Sequence, residues 1–459
     1  MTESGRRSAA TGRGLSPTAV LALVLPLLTI GALFLAQPEA AEDPPRPPEP
    51  TTLGSTSVIC PSGATGTVLV GTGEESAQGD ATARSDGEEQ TVPLRFGQVS
   101  SVEDVPGPVV VTGTGDLAPG LLAARFGSRD LSAADCPGPR PEAWFTGVGA
   151  GARHNSVLEL VNPDEGPAVA DVTVYSPAGV LDVPQLRGVT VGGGDSIRLD
   201  LGSVVPRRTE LALHLVVARG RLASSVLDET PELGDRPQSL DWLPAQTEPA
   251  TRTVLLGLAP GDGTDVLSVT NPGADEARVS VKIMTADAVF SPEGLGDISV
   301  PPDEVQKVSL TEAVRTAIEE DAIGIEVTAS VPVTATMRSV IADDVSFPAP
   351  VQPAETPMSL LVPDGKASVV LADAQAVGVA TVKVWTADGE RLEPRQVELT
   401  PGTGGTVDLP PRAALVQVSP KRTSVYASLL VTETRAAAVM GFRELVLDKL
   451  VPDVRPGLS

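Results

Sequence analysis

Asp171–Gly179 reads DVTVYSPAG, Val279–Ala288 reads VSVKIMTADA and Ala380–Gly389 reads ATVKVWTADG. The three stretches align with one another, each about 100 residues after the last, which is the size of one β-sandwich domain. In the first, Val172 and Val174 point one way while Asp171, Thr173 and Tyr175 point the other. The same parity sends Val281 and Ile283, then Val382 and Val384, to one face. A period of two is the signature of a half-buried strand, and a helix cannot produce it.

The repeat extends on both sides of these strands. SVLELVNP (Ser156–Pro163) matches DVLSVTNP (Asp265–Pro272), and the third copy keeps only ASVVLADA (Ala367–Ala374). VTVGGGDSIRLDL, ISVPPDEVQKVSL and VELTPGTGGTVDL follow in register, and each copy closes on a pair of strands. The Asn-Pro after the second strand ends ladder pairing, because Pro donates no hydrogen bond and Asn can tie the turn. The expected architecture is all-β, with tandem immunoglobulin-like β-sandwich repeats over 142–245, 251–347 and 356–452. Residues 53–141 are strand-rich but do not align with the rest, and read as a divergent β-domain. One extra helix is expected from Leu310 to Ala322, with Ser309 and Glu312 at capping-box spacing.

Composition agrees with many short strands. The 459 residues contain 45 Gly and 43 Pro, too many breakers for long helices, and only 3% aromatics, so the cores must be aliphatic. The net charge of -25 provides no basic stripe for phosphate backbones, which excludes nucleic acid as a partner.

Thr18–Ala36 carries no charge. As a helix it reaches about 28 Å, close to the hydrocarbon thickness of a bilayer. Arg6, Arg7 and Arg13 precede it; Glu39, Glu42 and Asp43 follow. The positive-inside rule then gives a cytoplasmic tail (1–14), a transmembrane signal-anchor (15–37), a Pro-rich linker (38–52) and an external remainder. The alternative is secretion after signal-peptide cleavage, although Pro38 or Glu39 would stand where a small residue is wanted. Cys60 and Cys136 are the only cysteines, and both lie on the exported side. In an oxidising space they are expected to form one disulfide.

Little in the chain suggests catalysis. His154 and His214 are the only histidines, and neither sits in a triad or metal motif. Acidic neighbours such as Glu88-Glu89 read as solvated loops, and Asp262-Gly263-Thr264-Asp265 reads as a turn before it reads as a calcium loop. No catalytic residue, cofactor or metal ligand is assigned. Tyr175, Met284 and Trp385 take equivalent positions on the face opposite the core, where large side chains must be covered by something. Burial between domains is the simpler reading and a partner contact the other. Trp144 and Trp242, at the ends of the first clear copy, are grouped with them.

The Cys-Pro pair, the junction CPGPRPEAWFTGVGAG (Cys136–Gly151), the Asn-Pro strand ends and Asp241-Trp242 resemble the actinobacterial membrane-anchored extracellular proteins of domain-of-unknown-function family 5719. That resemblance implies an envelope protein without an assigned activity and brings no catalytic residues. The expected function is a non-catalytic structural or protein-interaction module of the cell envelope. The alternatives are an accessory glycan-binding subunit of a cell-envelope glycosyltransferase and, behind it, an unrecognised hydrolase. Expected partners are an envelope protein or a wall glycan.

Overall fold

Alternation along the strands, punctuated by Gly and Pro turns, produces eight or nine strands per module, paired in a shared order. The computed structural model describes residues 17–35, 49–63, 66–102, 106–127, 131–152, 154–231, 238–261, 263–318, 321–342, 344–446 and 448–451. It comprises two units, Met1–Pro50 with Leu450–Ser459, and Thr51–Lys449. In the first, Pro17–Leu35 is a helix of 19 residues with Pro26 inside it. Among the described residues no helix is long and apolar enough to cross a membrane. The expected cytoplasmic tail and most of the expected linker lie outside the described residues.

The second unit holds four sandwiches, modules 1 to 4, over the segments 53–141, 142–245, 250–351 and 356–449. In module 4, the first, sixth, third and fourth strands form one sheet: Met358–Leu361, Leu415–Lys421, Gly378–Trp385 and Arg395–Leu399. The fifth, second, seventh and eighth form the other: Gly405–Asp408, Lys366–Ala372, Tyr426–Thr432 and Ala437–Gly441. Module 2 repeats this order, with Val172 opposite Leu215 where module 4 has Val382 opposite Val418. In module 3 the sixth and seventh strands merge into one 20-residue strand, Ala322–Ile341, which passes from one sheet to the other. The second–fifth and third–sixth pairings are those of an immunoglobulin sandwich, but the first and seventh strands have exchanged sheets.

The segment that resisted alignment has the same topology. Ser55–Cys60, Val109–Thr114, Gln78–Ser85 and Glu88–Arg95 make one sheet of module 1. Ser100–Val102, Gly66–Thr72, Leu121–Gly127 and Ala133–Asp135 make the other. The repeat is therefore fourfold rather than threefold. Module 1 fills its core with Val and Ala around the Cys60–Cys136 disulfide, whose sulfurs are 2.06 Å apart.

Buried asparagines explain the Asn-Pro ends. Asn162 donates to the carbonyls of Gly166, Val191 and Gly192 and accepts from the Asp164 N–H. Asn271 does the same with Asp275, Val300 and Gly273. Each side chain holds a crossover whose backbone groups would otherwise be buried without partners. The expected helix is present but shorter, Thr311–Ile318, and closes the same end of module 3 that a single turn, Leu201–Val204, closes in module 2.

Candidate functional site

The equivalent large residues show how the modules meet. Tyr175 lies with Trp144 and Ala212 against Val305 of module 3. Met284 packs with Val254 and Leu256 against Val370, Tyr426 and Val439 of module 4. Trp385 sits edge-on to Phe96 of module 1, ring centres 5.1 Å apart, and touches the Gly97 backbone. One position in three successive modules thus buries against the next module, and the last returns to the first. The Val99 N–H donates to the Ala387 carbonyl at 3.0 Å across this closing seam. The four sandwiches, consecutive in sequence, therefore close into a ring.

Each seam also pairs charges, buried deeply between modules 1 and 2 and between modules 2 and 3 and part-exposed at the other two. Between modules 1 and 2, Glu159 accepts from the Ser62 N–H at 2.7 Å and from its hydroxyl. Arg125 beside it is fully buried, and burial lowers its pKa to about 10 despite the Glu159 charge. Between modules 2 and 3, Asp228 takes Arg338 at 3.0 Å, Ser156 at 2.7 Å and His154. Burial alone would raise the Asp228 pKa; His154 and Arg338 outweigh it and hold it below the ordinary value. Between modules 3 and 4, Arg252 pairs with Glu326, Asp373 and the Tyr426 hydroxyl. Between modules 4 and 1, Arg443 pairs with Asp135.

The eighth strands, one per module, run side by side around the axis of the ring. The Ala133 N–H donates to Asp241 Oδ1 at 3.1 Å. Ser239 Oγ donates to Asp344 Oδ1 at 2.8 Å, and the Ala437 N–H to Asp344 Oδ2 at 3.2 Å. Asp241 is buried, and its pKa stands well above the ordinary carboxylate value. Burial is the main cause, opposed by the Ala133 and Trp242 N–H groups and reinforced by Asp344 and Asp228.

The eighth strands of modules 1, 2 and 4, with Ala250, Thr253, Ala349 and Pro350 of module 3, line a chamber of about 370 Å³. Ile59 and Pro61 on one side of the disulfide, and Asp135 and Pro137 on the other, all line it. The Cys60–Cys136 bond therefore braces the wall of the chamber, a placement that sequence separation could not show. Trp242 lines it too, and its buried Nε1–H has no hydrogen-bond acceptor among the described residues. Trp144 does not line it; the ring stacks on His214 at 3.9 Å and donates to Glu142. Neither histidine reaches the chamber: His154 is spent on Asp228, and His214 Nε2 lies 2.7 Å from Glu142.

Among the described residues no cluster of His, Cys, Asp and Glu could hold a metal ion. Asp262 of the acidic turn lies outside them. Sequence reasoning missed the chamber and its arginines, Arg140 and Arg443. The available signal was weak: both cysteines precede prolines, and the junction between modules 1 and 2 is unusually rich in them.

Comparison with known proteins agrees with the sequence resemblance. The model of a family of unknown function, DUF5719, matches residues 97–410, and the chain belongs to that family. The match begins within module 1 and ends within module 4. No curated protein matches.

Proposed function

We propose that the chain is a non-catalytic, membrane-tethered protein of the cell envelope, whose four-module ring is a rigid platform for another envelope protein. The observation that carries this reading is where the ionisable groups lie. Asp228, Glu159, Glu326 and Asp373 are each engaged in a seam between modules, and both histidines are engaged away from the chamber. Ser62 and Ser156 lie within hydrogen-bond reach of Glu159 and Asp228, but both serines are buried inside their seams, away from the chamber.

The tether is supported by the helix itself. Val20, Leu21, Val24, Leu25, Leu28 and Ile30 are exposed around most of its circumference, and it carries no charged residue. A helix apolar on most sides calls for lipid or protein around it. The disulfide suits an oxidising compartment. The test is fractionation with external protease. Anchored protein should resist carbonate extraction and lose its ring to protease outside the cell, and deletion of 17–35 should release it. Recovery from the cytosol with both thiols free refutes the reading. Cross-linking in the native membrane then identifies the partner, and capture of a wall glycan in place of a protein would favour the glycan-binding alternative.

A further inference from the structure

We propose that the chamber at the hub of the ring binds a small amphipathic anion, an apolar body carrying one carboxylate or phosphate group, with Arg140 as its counter-charge. The volume of about 370 Å³ falls in the range of small-ligand pockets. The walls are mainly apolar, with Ile59, Phe145, Trp242, Met358 and Phe442 converging from three modules. Prolines from the junctions stiffen them, and the disulfide ties two of the wall segments together. Such a site is formed before the ligand arrives, so little ordering cost is left for binding.

The charges in the wall are not equivalent. Arg443 is already paired with Asp135. Glu444 is held by the Thr356 hydroxyl at 2.8 Å, and Glu248 is exposed at the chamber's edge. Arg140 has no acidic partner among the described residues. Its backbone N–H donates to the Leu222 carbonyl at 3.1 Å, which anchors the residue, and burial lowers its pKa with no acid to raise it again. A partly desolvated guanidinium without a counter-ion is costly, and an anion entering beside it recovers that cost in a charge-assisted, bidentate contact. The apolar walls would take the remainder of the ligand.

The test is equilibrium dialysis of the full chain in lipid nanodiscs, with empty nanodiscs as the blank. The probes are 1-naphthoate, 1-naphthyl phosphate and the neutral isostere 1-naphthamide. One saturable site is expected, with at least one anion binding tenfold or more tighter than the amide; which anion wins separates carboxylate from phosphate chemistry. Arg140→Gln should bring that anion down to the affinity of the amide while leaving the amide within twofold. Ser224→Trp, which fills the chamber from its wall, should abolish binding of every probe. Thermal melting of both variants shows that they remain folded, and should Arg140→Gln fail to fold, loss of binding in Ser224→Trp carries the test. Absence of saturable binding overturns the proposal, as does anion binding that survives either folded variant. The result is independent of the tether and of any protein partner, so failure here leaves the proposed platform function standing.

Discussion

Replacing Trp385 with Ala tests ring closure, since this side chain belongs both to the core of module 4 and to the seam with module 1. It is 6% exposed. Truncating a buried Trp costs about 3–5 kcal/mol, from lost transfer energy and the cavity left behind. Its edge-on contact with Phe96 should supply about 0.5–1.5 kcal/mol of that. The seam term can be isolated in a cycle with Phe96→Ala. Far-UV circular dichroism during urea unfolding of the full chain in detergent gives the four free energies. In the ring, the coupling between the two residues should exceed the additivity error of about 0.5 kcal/mol. In an open chain of modules Trp385 and Phe96 would never meet, and the coupling would vanish. Additive losses would therefore refute the ring, however large the effect of Trp385→Ala alone.

Replacing both cysteines with Ser should remove about 4.5 kcal/mol in the chain-entropy model for a sequence separation of 76 residues, measured as a fall in urea midpoint. Arg338→Met leaves the buried Asp228 without its guanidinium partner, and should cost about 3–5 kcal/mol in the same assay. Asp241→Asn keeps an oxygen for the Ala133 and Trp242 N–H groups while removing a buried charge. Because the folded pKa of Asp241 is raised, its favourable contribution is complete below the ordinary carboxylate pKa and is lost as pH rises through the folded value. Asp241→Asn should therefore gain stability relative to wild type on going from pH 4 to pH 8, and an unchanged difference between the two proteins would contradict the burial assigned to this carboxyl.

The strands were legible because alternation is local: DVTVYS states its own period, and burial of Val172, Val174 and Tyr175 follows from it and from a neighbour. The number of modules was not. Module 1 has the topology of the others, but its third strand, QGDATARS, carries small and polar residues where the others carry Val, and its second strand lacks Asn-Pro. Topology tolerates such replacement as long as one face stays apolar; alignment does not. The equivalence of Tyr175, Met284 and Trp385 signalled burial between modules. That Trp385 meets Phe96, nearly 300 residues away in sequence, is a long-range fact with no local trace. The chamber was equally hidden, because each module contributes a few residues from junctions and eighth strands with no motif of their own.

Four modules of one topology raise a problem of assembly, since similar faces can dock in the wrong order. The aliphatic part of each seam discriminates poorly, because Val, Leu and Met surfaces adapt to one another. The buried charges discriminate well. Module 1 offers Arg125 to module 2 and Asp135 to module 4, while module 3 offers Arg338 to module 2 and Arg252 to module 4. A swap of modules 1 and 3 would bring Asp135 against Asp228 of module 2, and would leave Arg338 facing Arg443. Left without its cation, the fully buried Asp228 alone costs about 3–5 kcal/mol, so one wrong seam outweighs any gain from apolar contact. Paired correctly, the same charges add little net stability, which is why their value lies in order. A fixed order is also what the chamber needs, because Arg140, Trp242, Ala349 and Phe442, one from each module, converge only when all four modules close in sequence.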